Sequence, residues 1–131
     1  MQIRYWVLAG AVAAAAGFSA PVLAADAKGE ITTAAQHATL AAQAGNIAGV
    51  KMHLHHTLNC LEGPKGADFS KTDMNPCANS GNGAIPDSTN PTTTASLQTA
   101  VGQAVSGLKA SDLKTAQADA SATAATLQAI K

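Results

Sequence analysis

The sequence predicts an all-α fold, a small four-helix bundle-like domain with a long disulfide-tied loop between helices 2 and 3. Two observations carry this prediction. Apolar residues recur at spacings of three and four in the predicted helices, and one Gly-, Pro-, Asn- and Ser-rich stretch, residues 63–90, interrupts them. Short connections elsewhere favour antiparallel neighbouring helices.

The N-terminal segment has the pattern of a cleaved secretory signal peptide. Arg4 gives a positive start, and an apolar run over residues 6–18 is too short to anchor the chain in a bilayer. Small residues around Ala24 suit a signal peptidase. We therefore expect residues 1–24 to be removed, leaving an Ala-rich helical domain over residues 25–131 that is periplasmic or secreted, with no membrane association after cleavage.

The composition of this domain limits its partners and its core. It contains seven lysines and eight acidic residues, a formal charge of −1, which gives no reason to expect nucleic acid binding. It also contains 23 alanines and a single aromatic residue, Phe69, so the core is short of bulk. A covalent link, a ligand or a homo-oligomer contact is expected to support it.

Four helices are predicted in order. The first covers residues 30–44 and ends at Gly45, and Asn46 caps a second that begins near Ile47 and ends at Gly63. Asn90 and Pro91 start a third. Ser111 is predicted to cap the fourth. The apolar stripe of the second helix consists of Ile47, Val50, Leu54, Leu58 and Leu61.

The only two cysteines, Cys60 and Cys77, both lie in the predicted exported domain. An oxidising compartment allows such a pair to persist as a disulfide, and we predict that they form one. The alternative is that Cys60 remains a thiolate and binds metal beside the histidines.

A histidine cluster on the second helix is the segment that indicates chemistry. His53, His55 and His56 are three of the four histidines in the chain. At about 100° per residue, His53 and His56 share a helix face, whereas His55 lies on the opposite flank. Imidazoles at such a spacing suit a metal ion in a helical bundle. Further ligands are expected from His37 on the first helix or from Met52, or from an acidic residue of the long loop, Asp68 or Asp73.

The predicted function is binding of a transition-metal ion (copper, zinc or nickel) or of non-covalent haem b, held by an axial pair of side chains. Covalent haem lacks its Cys-x-x-Cys-His motif, and a zinc protease lacks its His-Glu-x-x-His motif. No nucleophile or phosphate-loop motif is present, so the protein is expected not to be an enzyme. The alternative is a structural or interaction protein of the cell envelope with incidental histidines.

Overall fold

The computed structural model describes residues 25–131, and the predicted signal peptide lies outside the described residues. Within them the chain forms helices and loops, with no strand. The helices are α1 (Ala27–Gln43), α2 (Ile47–Glu62), α3 (Ala84–Asp87), α4 (Pro91–Lys109) and α5 (Leu113–Gln128). The predicted all-helical class is confirmed. The long loop is not wholly irregular, however, because its last part contains α3.

Side-chain caps define where the long helices begin. Asn46 caps α2 and Asn90 caps α4, as predicted, each by accepting backbone N–H groups of the first turn. The predicted cap Ser111 is wrong by one residue, since the Asp112 carboxylate accepts from the Thr115 N–H at 2.9 Å. Helix α1 starts three residues earlier than predicted because Asp26 caps it.

The four long helices pack into a helical bundle in which α1 contacts α2 and α5, while α4 contacts α5 and α2. The predicted stripe of α2 faces the core: Ile47 is half-buried, and the other four residues are buried. Small residues dominate the opposing surfaces, so the helices approach closely. Gly107 on α4 illustrates this, because a Cβ there would contact the side chain of Leu54. The buried Ala34, Ala38 and Ala41 of α1 share core clusters with the buried residues of α2, which places the histidine-bearing segments of the two helices side by side.

The loop between α2 and α3 is ordered by two anchors on the last turns of α2. The predicted disulfide between Cys60 and Cys77 is confirmed, with the two Cα atoms 5.1 Å apart. Beside it the buried amide of Asn59 donates to the carbonyl oxygens of Ser70 and Met74 and accepts from the Ser70 N–H at 2.8 Å. These bonds satisfy a buried polar side chain and fix the loop one helical turn from His56.

Loss of the disulfide is expected to lower the free energy of unfolding by about 3 kcal/mol. The two cysteines are 17 residues apart in the sequence, and without the bond the unfolded chain regains the conformational entropy of the loop between them. Both cysteines are buried, so alanine is the better replacement. Thermal unfolding of the Cys60→Ala, Cys77→Ala protein should show a lower Tm than the parent. A Tm equal to that of the parent would contradict a stabilising role for the link.

A buried carboxyl group joins α1 to the segment before α3. Glu30 is fully buried, and its Oε1 accepts the Gly83 N–H at 2.9 Å, while its Oε2 has no hydrogen-bond partner. Burial is the main cause that raises the pKa of Glu30 to about 7. The nearby carboxylates of Asp87 and Asp26 raise this pKa further, whereas the hydrogen bond from Gly83 lowers it. The carboxyl is therefore largely protonated below neutral pH.

Glu30→Gln should change how stability depends on pH. Because the folded-state pKa lies above the ordinary value, the parent loses the stability contributed by Glu30 as pH rises from 4.5 through about 7. The amide keeps the acceptor for Gly83 but cannot ionise. Its Tm should thus rise relative to the parent by about 5 °C or more between pH 5 and pH 8. Parallel Tm profiles over this range would exclude ionisation of a buried Glu30.

Candidate metal centre

Three histidines from two helices meet where α1 packs on α2. His37 lies in the middle of α1, and His53 and His56 lie one turn apart on α2. One possible ligand atom from each ring can be chosen such that the three atoms all lie within 4.8 Å of one another. The structure therefore brings the predicted partner from the first helix to the predicted pair on the second.

One distance within this triad matches the separation of two metal ligands. The Nδ1 atoms of His37 and His53 are 3.3 Å apart. Two nitrogens each about 2.05 Å from a tetrahedral ion lie about 3.3 Å from each other, so this pair is already at the required separation. The His56 ring stands edge-on to both others, with its centroid 5.0 Å from that of His37 and 5.6 Å from that of His53. Binding of one ion by all three rings would need the remaining donor separations, which are up to 4.8 Å, to shorten.

Two members of the triad lie in surroundings that favour the neutral imidazole. Burial lowers the pKa of His37, and the proximity of His56 and His53 lowers it further. Burial likewise lowers the pKa of His56, together with the neighbouring His53 and His55 rings, whereas the Asp73 carboxylate acts in the opposite direction. Neutral imidazole is the form that coordinates a metal ion, so these lowered pKa values favour metal binding at neutral pH.

His56 also has a polar atom without a partner. Its side chain is only 6% exposed, and its Nδ1 atom is buried with no hydrogen bond. A buried polar atom left unpaired costs about 1–3 kcal/mol, so such atoms often mark sites that take up a ligand. A cation held by the triad would give the polar His56 ring an electrostatic partner in this otherwise unfavourable environment.

The other predicted ligands lie outside the triad. His55 is half-buried on a different flank of α2, as the helical spacing predicts, and its Nδ1 is also buried without a partner. Met52 is 43% exposed. Neither Asp68 nor Asp73 belongs to the triad, and Cys60 is bonded to Cys77 and so provides no thiolate.

Asn59 is a residue near the triad whose loop-positioning role sequence reasoning did not identify. Its side-chain amide donates to the backbone carbonyl of Asp73 in the loop. The Oδ2 atom of Asp73 in turn accepts from the Ser70 hydroxyl at 2.6 Å. The available signal was a lone amide among the apolar residues at the end of the predicted second helix. Such a residue, if buried, must find hydrogen-bond partners, and a neighbouring loop is the usual source.

A separate cavity of about 910 Å³ runs along the opposite side of α1, where Ile31, Ala35 and Ile130 form part of its wall. No histidine lines it. The histidine triad and this cavity are thus different features of the surface.

No family model, curated protein or solved structure matches this chain. Among the helices of residues 25–131, none is long and apolar enough to cross a membrane. Function is therefore inferred from the site itself.

Proposed function

We propose that the protein is an exported, non-catalytic binding protein for a divalent transition-metal ion, held by His37, His53 and His56. The observation that carries this proposal is the convergence of three imidazole donors from two helices within 4.8 Å. Packing of α1 on α2 holds their backbones in place, so the ion meets ligands that are largely positioned in advance.

Metal binding accounts for this geometry better than incidental histidines do. A proton shared between the Nδ1 atoms of His37 and His53 would link only two of the three rings. The third ring, His56, is then left buried with an unpaired Nδ1. A single cation interacts favourably with all three rings at once, which a single hydrogen bond cannot do.

The ligand set favours a borderline ion over haem. Imidazole nitrogens suit copper(II), zinc(II) and nickel(II), and the Irving–Williams order places copper(II) as the tightest of these. Haem would need a wide cavity beside an axial histidine, and the cavity of about 910 Å³ is lined by none. The proposed ligand is therefore a metal ion rather than haem.

Export to the periplasm or to the outside of the cell is part of the same proposal. It is supported by the leader-like composition of residues 1–24 and by the Cys60–Cys77 disulfide, since such bonds persist in oxidising compartments.

The direct test is titration calorimetry of residues 25–131 with zinc, copper(II) and nickel in separate experiments. We expect saturable binding of about one ion per chain for at least copper(II) and zinc at pH 7.5. Absence of saturable binding by all three ions would favour the structural-protein alternative.

Metal affinity should depend on pH in a specific direction. Protonation competes with the metal only below the pKa of each ligand, and the pKa values of His37 and His56 are lowered from 6.5. Competition by protonation should therefore lower the affinity by at least about tenfold between pH 6.5 and pH 5. Calorimetry at these two pH values checks the prediction; an affinity that is the same at both would contradict it.

A further inference from the structure

The triad supplies three ligands, and among residues 25–131 no further His, Cys, Asp or Glu side chain converges with them. Within residues 25–131 the group of converging donors contains no carboxylate, and both cysteines are in the disulfide. Residues 1–24 contain no His, Cys, Asp or Glu at all. A tetrahedral ion held by three protein ligands takes its fourth from solution.

The charge of the site indicates what that fourth ligand should be. Three neutral imidazoles leave the full double positive charge on a divalent ion, because no thiolate or carboxylate of the triad offsets it. An ion in this state attracts anions and makes its bound water acidic, with a pKa near 7 in three-histidine zinc sites. A monodentate anion is therefore favoured over neutral water.

One side of the triad is accessible to such an anion. His56 is buried, but His37 and His53 are only half-buried, so two of the three rings border solvent. These are the two rings whose Nδ1 atoms lie 3.3 Å apart. An anion from solution would reach the ion from their side of the triad.

We infer that the ion bound by His37, His53 and His56 carries an exchangeable small anion as its fourth ligand. This inference rests on the proposed metal site. The anion is hydroxide derived from solvent or a competing monodentate anion of similar size, and both use the same position. Hydroxide arises by loss of one proton from the bound water to solvent.

Asp73 is the protein group that competes most directly with this assignment. Its carboxylate is close enough to His56 to influence that ring electrostatically. However, its Oδ2 is already bonded to the Ser70 hydroxyl, and Asn59 holds the backbone of the same loop. Moving Asp73 into the triad would break these bonds, so we assign it to the surroundings of the site.

The test uses the mature protein loaded with cobalt(II), whose visible absorption reports the ligands of a zinc-like site. Sodium azide should shift the spectrum saturably, with an apparent Kd in the millimolar range or tighter, and the same shift should occur in Asp73→Asn. Azide competition should weaken as pH rises through the pKa of the bound water, which distinguishes resident hydroxide from an adventitious anion.

The possible results distinguish failure of the exchangeable anion from failure of the metal site itself. Cobalt binding with no azide response in the parent would overturn the exchangeable anion while leaving the metal site intact. A response that appears only in Asp73→Asn would identify Asp73 as the fourth ligand and also overturn it. Failure of cobalt, zinc and copper(II) to bind at all would overturn the metal site and this inference together.

Discussion

Replacing His53 and His56 together by alanine is expected to lower the affinity for zinc or copper(II) by at least about 100-fold. The two rings supply two of the three donors of the triad, and loss of even an outer-shell partner commonly costs 10–100-fold. His37→Ala should cause a loss of similar order, because it removes the only donor contributed by α1. Titration calorimetry of each variant against the parent measures the effect.

His55→Ala is the matched control for these variants. It removes the same chemical group from the same helix, but from a ring outside the triad, so the affinity should change by less than about threefold. Circular dichroism should show that all four proteins remain helical. An equal loss of affinity from His55→Ala and from the double variant would show that the ion is not held where we place it.

Gly63→Ala is expected to lower the stability by about 3 kcal/mol or more, a fall in Tm of more than about 10 °C. Gly63 ends α2 with φ 66° and ψ −176°, a conformation that only glycine adopts readily. A Cβ there would also collide with the backbone carbonyl of Asn82. The contact joins the end of α2 to the segment that leads into α3, so the backbone on both sides would have to move.

Gly102→Ala provides the control for glycine replacement. Gly102 is exposed within α4, and a Cβ there would meet nothing within 4 Å. Alanine has the higher helix propensity, so this variant should be more stable than the parent by about 0.5–1 kcal/mol. Thermal unfolding followed by circular dichroism should give Tm shifts of opposite sign for the two variants. A Tm of Gly63→Ala within a few degrees of that of the parent would contradict the close approach of Gly63 to the Asn82 carbonyl.

Local rules were sufficient to predict the four long helices. The three-and-four spacing of Leu54, Leu58 and Leu61 correctly identified the buried face of α2. The Asn46 and Asn90 caps were correct because each acts on its own first turn. Ser111 and Asp112 are both good caps, so composition alone could not choose between them. Helix α3 was missed because four residues show no periodicity.

The site could be predicted only in part. Helical spacing grouped His53 with His56 and set His55 apart, because these relations are internal to one helix. The meeting with His37 depends on the register of α1 against α2, which arises from tertiary packing of small residues. The burial of Glu30 beside Gly83 has the same origin, since contacts between distant segments leave no local sequence pattern.

The most direct measurement of metal binding by the triad is X-ray absorption spectroscopy of residues 25–131 loaded with one zinc ion per chain. We expect a four-coordinate first shell of nitrogen and oxygen at about 2.0 Å, with the multiple-scattering pattern of three imidazoles. A sulfur ligand, or a shell with fewer than two imidazoles, would contradict a site built from His37, His53 and His56.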